Sequence, residues 1–262
     1  MATFVLVHGA WHWGGCWDAV RLQLEAQGHS VYTPSLSMQP TATLDSHIRQ
    51  VVAVFQEHDL VDVVLVGHSY AGVVVAGALA CEPQRIQHTI FLDAFLPAPE
   101  LSLMGQLMPR IGVAALRALT RFNPTLPAFI SARGLGIRDP QQAQWVDAHL
   151  QPHPAATVFD PFNYTPVLEP ARCTYITCRH AVQITGTDTL IGRLFARLLP
   201  ASPLAKFARQ AAAQGWVMRQ LNTGHDAMVI APQEVTQLFL EVLPSAPQMP
   251  TAQAVDSAPL TV

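Results

Sequence analysis

The stretch Val61-Asp62-Val63-Val64-Leu65-Val66-Gly67-His68-Ser69-Tyr70-Ala71-Gly72 decides how this chain is read. An apolar run, 61–66, ends in a small residue and then a serine, and a helix-compatible segment, 73–80, follows at once. A strand, one tight turn and a helix stand a serine hydroxyl above the edge of a sheet, where a nucleophile must stand. The pattern departs from G-x-S-x-G in one place, because Ala71 holds the second glycine position.

Outward from this stretch, short apolar runs alternate with longer helical segments. Strands are predicted at 4–7, 30–33, 61–66, 88–93, 174–178 and 217–221, and helices at 16–27, 44–57, 71–80 and 232–243. The central runs are continuously apolar, which suits strands covered on both faces. The rhythm predicts an α/β fold with a doubly wound, mainly parallel six-stranded sheet. Residues 96–170 break it: they hold no good strand and are rich in Pro, Leu, Met and Ala, with aromatics such as Phe122, Phe129, Trp145 and Phe159. Connections inside compact domains are usually far shorter, so this interval is read as a mostly helical lid. The expected organisation is a core of 1–95 and 171–244, a lid of 96–170, and a flexible Pro/Ala-rich tail of 245–262.

Composition narrows the function. Half of the residues are hydrophobic and 13% are charged, so the body has enough apolar surface to fold around a core. A formal net charge of −3, with no Lys/Arg block, gives no electrostatic reason to bind nucleic acid. The opening apolar run is too short for a membrane span and lacks a basic leader, so it is read as the first core strand. Cys16, Cys81, Cys173 and Cys178 match neither a zinc pattern nor a disulfide framework, which points to free thiols in a cytoplasmic protein. No metal and no cofactor is expected.

Four local features carry the chemistry. His8-Gly9-Ala10 follows the first strand, Ser69 stands at the turn, Asp93 ends the 88–93 strand, and His225 sits in Thr223-Gly224-His225-Asp226 after the last strand. A serine hydroxyl needs a base beside it, and imidazole titrates near neutrality. A carboxylate on the other ring nitrogen fixes the tautomer. The backbone N–H groups of Ala10 and Tyr70 are the candidate oxyanion donors. Trp11, Trp13 and Met228, with Met104, Phe122, Phe129 and Trp145, are candidates to line an apolar substrate pocket. His8 and His68 read as structural hydrogen-bonding residues, and His8 and His12 lie in a loop rather than on a helix, which argues against a zinc pair.

The segments Phe4-Val5-Leu6-Val7-His8-Gly9-Ala10-Trp11, Gly28-His29-Ser30-Val31, Gly67-His68-Ser69-Tyr70-Ala71-Gly72 and Gly224-His225-Asp226-Ala227-Met228 resemble one branch of the α/β-hydrolase superfamily. That branch contains plant methylesterases, hydroxynitrile lyases and bacterial carboxylesterases that include pyrethroid hydrolases. The chain order nucleophile, acid, histidine is the order of that fold. The resemblance implies cofactor-free hydrolysis of a hydrophobic carboxylic ester through an acyl-serine, with Ser69 as nucleophile and His225 as base. Lyases of the branch carry a lysine beside the histidine and a hydroxyl residue in the first loop. Here Asp226 follows His225, and His8-Gly9-Ala10 offers no hydroxyl, which speaks against carbon–carbon lyase chemistry. The acid is open between two residues. Most members place it after the strand that here is 174–178, where the first carboxylate is Asp188; Asp93 instead ends the preceding strand and is taken ahead of it. The alternatives kept beside the esterase are a hydrolase-fold ligand-binding or receptor protein and a carbon–carbon lyase or hydrolase. The expected partner is a small-molecule ester, with no nucleic acid and no membrane, and the expected assembly is a monomer or homodimer.

Overall fold

A computed structural model describes residues 1–128, 130–180 and 204–243. Phe129, Asp188 and the 245–262 tail therefore lie outside the described residues.

Six parallel strands form the central sheet: β1 (Thr3–Val7), β2 (Ser30–Tyr32), β3 (Val63–His68), β4 (Ile86–Leu92), then β7 (Cys173–Cys178) and β8 (Val217–Leu221). Their spatial order is β2-β1-β3-β4-β7-β8, and every pairing is parallel. The sequence placed all six, with one clear shift at β3. Val61 is exposed and Asp62 has φ +52, so the chain turns before the strand can start at Val63.

Side-chain alternation along the strands builds two cores. Val5, Val7, Val63, Leu65 and Phe91 face one side, while Phe4, Leu6, Val64, Val66 and Ile90 face the other. The first side is covered by α2 (Leu44–Glu57), α3 (Ala71–Cys81) and α8 (Ala205–Ala213) through Ile48, Phe55, Val74 and Phe207. The second is covered by α1 (Asp18–Ala26) and α10 (Pro232–Leu240) through Val20, Leu24, Val235 and Phe239. Helix α2 has the boundaries its sequence predicts, since Thr43 and Ser46 cap each other's backbone N–H groups.

The lid lies between β4 and β7 and is mostly helical: α4 (Leu103–Leu107), α5 (Arg110–Leu119), α6 (Pro140–His149) and α7 (Ala156–Phe159). It also holds an antiparallel ribbon, β5 (Thr125–Leu126) with β6 (His153–Pro154). The sequence reading found no strand there, because two residues are too few for an alternation to show.

Strand order reverses between β1 and β3, which places a crevice at their carboxyl ends, where ligands bind in open α/β sheets. Chain direction is reversed within a very small space at this point. A Cβ added at Gly72 would lie 2.1 Å from the Phe95 carbonyl oxygen and 2.9 Å from Ala94 Cβ. Position 71 accommodates its alanine, and the close approach is made at Gly72. Gly72→Ala is expected to lower stability by about 1–3 kcal/mol, the usual cost of overpacking. Urea unfolding reads this directly, and an unchanged midpoint would contradict the crowding.

Candidate active site

Ser69 sits between β3 and α3 with φ +54, a left-handed conformation that a non-glycine residue adopts only when its neighbours enforce it. Its N–H donates to Leu92 O at 3.2 Å, while its carbonyl accepts from Gly72 N at 3.1 Å and Phe95 N at 3.0 Å. Gly9 makes room beside it, since a Cβ there would come within 2.9 Å of Ser69 Cβ. Two more strand ends carry the same conformation: Trp11 after β1 has φ +64, and Asp93 after β4 has φ +42.

Asp93 meets His225. The Asp93 Oδ2 to His225 Nδ1 distance is 2.6 Å, and both side chains are buried. Asp93 Oδ1 accepts from Cys178 N at 3.3 Å, and Asp93 N donates to Ile176 O at 2.7 Å. With Nδ1–H given to the carboxylate, Nε2 keeps its lone pair and can act as a base. The loop carrying His225 is tied to the serine turn by His68, whose Nε2 donates to His225 O at 3.0 Å; the two rings lie 4.5 Å apart between centroids.

The first loop is held by histidines in fixed tautomers. His8 Nδ1–H donates to Gly9 O at 2.8 Å and Nε2 accepts from Leu36 N at 2.9 Å, so the ring is neutral; burial pushes its pKa down to about 3. His47 Nε2–H donates to Ser37 O, which leaves Nδ1 to accept the Tyr70 hydroxyl at 3.0 Å. Burial pushes the Tyr70 phenol well above its ordinary range, so it remains a donor. His153 accepts from Trp11 N at Nδ1 (3.5 Å) and bonds Thr157 Oγ1 at Nε2 (2.8 Å). Trp11 is held further by the lid, through its indole N–H to Leu126 O at 3.0 Å and Gln151 N to its carbonyl at 2.8 Å.

Sequence reasoning did not anticipate the pairing of His12 with Asp226. His12 Nε2 lies 3.0 Å from Asp226 Oδ2 and Nδ1 lies 3.0 Å from Ala10 O, all buried. Burial opposes charge on both, yet the charge of Asp226 raises the His12 pKa and that of His12 lowers the Asp226 pKa. No spacing rule joins positions 214 residues apart. The lid anchors of Trp11 were missed for the same reason.

The pocket candidates divide. Trp11 is half-buried in the first loop. Trp13 packs on Trp145 and His149 of α6, at centroid distances of 5.0 and 4.8 Å. Met228 is wholly buried in α9 (Ala227–Ile230) and packs with the second core. Met104 is core as well, and Phe122, at 96% exposure, faces solvent. Among the described residues, no group of three or more His, Cys, Asp or Glu side chains is placed to hold a metal ion.

A model of the alpha/beta hydrolase family matches residues 4–238. The chain belongs to this family. A carbendazim hydrolyzing esterase from Nocardioides sp. (strain SG-4G) is 31% identical to this hydrolase over 256 residues, covering 90% of this chain and 98% of that protein. Methylesterase 1 of Arabidopsis thaliana is 37% identical over 124 residues, or 41% of this chain and 47% of that one. The structure of an extracellular alpha/beta-hydrolase from a Paenibacillus species superposes with a TM-score of 0.75 at 24% identity, covering 92% of this chain and 99% of that one. At family level the comparisons support a serine-type carboxylesterase.

The Paenibacillus protein corrects the cytoplasmic placement expected from the sequence, since a protein of this architecture is described as extracellular. The cysteines never carried that inference far: Cys16 and Cys173 are buried within the fold, where a free thiol behaves as a small hydrophobe in any compartment. No helix among the described residues is long and apolar enough to cross a membrane.

The buried histidines predict an acid-sensitive fold. His8, His47, His68 and His153 all have pKa values lowered by burial, against the single raised value of His12. Below pH 6.5 the unfolded chain therefore binds more protons than the folded one, so stability present at neutral pH is lost as pH falls toward the depressed values. The slope is about 1.4 kcal/mol per pH unit for each extra proton. Urea midpoints should drop between pH 7 and 4.5, before most carboxylates titrate; a flat profile over that range would refute this.

Proposed function

We propose that Ser69, His225 and Asp93 form the catalytic triad of a cofactor-free esterase, with the N–H groups of Ala10 and Tyr70 as the oxyanion hole. The observation that carries this reading is the buried 2.6 Å contact of Asp93 with His225 Nδ1, in a loop bonded to the residue preceding Ser69. His225 Nε2 takes the proton as Ser69 Oγ attacks the ester carbonyl. The oxyanion forms against the two N–H groups, and the imidazolium returns the proton to the departing alcohol. Water, activated by the same nitrogen, then releases the acid and restores the serine. The body, 1–95 and 171–244, supplies the reacting groups, and the 96–170 lid shapes an apolar acyl or alcohol site to which Trp11 and Trp13 contribute. The substrate in this reading is a small-molecule ester, and the assembly is a monomer or a homodimer.

Ser69→Ala should abolish hydrolysis of a simple aryl ester, and wild type should show a burst of acyl-enzyme before steady turnover. Retention of most activity, or activity on cyanohydrins or diketones and none on esters, would reject the reading. Asp93→Asn should cost about ten-thousandfold in kcat through the wrong histidine tautomer. Asp188→Asn should cost far less, and the reverse ranking would reassign the acid.

A further inference from the structure

The His12–Asp226 pair lies outside the proposed triad yet touches both loops that serve it. Ala10 and His12 belong to the loop after β1, and Asp226 directly follows His225. His12 faces an acceptor at each nitrogen, the Ala10 carbonyl at 3.0 Å and the Asp226 carboxylate at 3.0 Å. A ring that donates at both nitrogens is an imidazolium, so this is a buried ion pair with one further hydrogen bond. Such pairs add little net stability over apolar side chains of like volume, so stability alone does not account for it.

Both ends of the pair are fixed. Asp226 N donates to Leu135 O at 3.3 Å, and the Asp226 carbonyl accepts from Val229 N and Ile230 N, each at 3.0 Å. His225, one residue before it, is held by Asp93 and His68. At the other end, the bond to the Ala10 carbonyl fixes the Ala10–Trp11 peptide, whose Trp11 side is strained at φ +64. Resting on the proposed function, we propose that His12 and Asp226 are positioning residues that set the Ala10 oxyanion donor in register with His225 across two loops. The pair touches neither substrate nor the reacting atoms; its effect passes through the peptide after Ala10 and the backbone before Asp226.

The test compares wild type, Asp226→Ala and Asp226→Asn on an aryl ester, with phenylboronic acid as a probe. The probe adds to the serine hydroxyl as a tetrahedral anion, forming a B–O bond while the serine proton passes to the base, and so reports on the oxyanion donors. Asp226→Ala should lower kcat about tenfold or more and weaken boronate inhibition by a similar factor, with KM within about threefold. Asp226→Asn keeps the side-chain shape and can donate to a neutral His12, so it should lose only about three- to tenfold in the same two quantities. If Asp226→Ala does not fold by circular dichroism, Asp226→Asn decides alone, and unchanged kcat and boronate affinity in it overturn the proposal. A rise in KM without loss of kcat or boronate affinity also overturns it. Activity that survives Ser69→Ala overturns the serine reading instead, so the two failures are distinguishable.

Discussion

The site depends on one constraint, the left-handed backbone at Ser69. An L-residue at φ +54 costs about 1–3 kcal/mol and persists only where its surroundings over-determine it. Here the serine's own peptide groups are absorbed into the structure: its N–H continues the β3–β4 ladder onto Leu92 O, and its carbonyl takes Gly72 N and Phe95 N. The strand below and the helix after it cannot relax without breaking these bonds. Gly9 and Gly72 supply the missing Cβ atoms that let the first loop and the segment after β4 close around the turn. The other two strained strand ends, Trp11 and Asp93, flank it and are likewise pinned, Trp11 by the lid and Asp93 by β7. Three of the six left-handed non-glycine residues among the described ones, Trp11, Ser69 and Asp93, follow β1, β3 and β4, around the crevice where strand order reverses.

Around this turn the histidines are sorted by the partners they meet. His8 and His47 each face one donor and one acceptor and serve as neutral struts. His225 gives its Nδ1 to a carboxylate. His12 faces two acceptors and carries charge. One residue type thus meets three kinds of surroundings, and hydrogen-bond partners, rather than the intrinsic pKa of imidazole, decide among them.

Much of this was legible in the sequence because it depends on local periodicity. The apolar runs gave six strands, and the segment 44–57 gave α2. Ser69 and His225 could be singled out because each follows a strand within a short recognisable string. The acid was harder: the sequence puts Asp93, at the end of 88–93, ahead of Asp188, ten residues beyond Cys178, but leaves both open, and the contact of Asp93 with His225 is a long-range fact. The β5–β6 ribbon, the lid bonds to Trp11 and the burial of Met228 left no local trace. Phe122 and Met104 looked alike as greasy lid residues; one faces solvent and the other is core.

The sequence by itself determined the winding of the sheet, the place of the serine turn and the order of the chemical groups along the chain, because strand and helix periods and turn chemistry are properties of neighbouring residues. Only the tertiary structure decided which carboxylate reaches His225, which histidines are neutral and which is charged, and that Asp226 turns back to His12. Those outcomes depend on burial and on partners brought in from distant strands, and neither quantity exists until the sheet has closed its two cores.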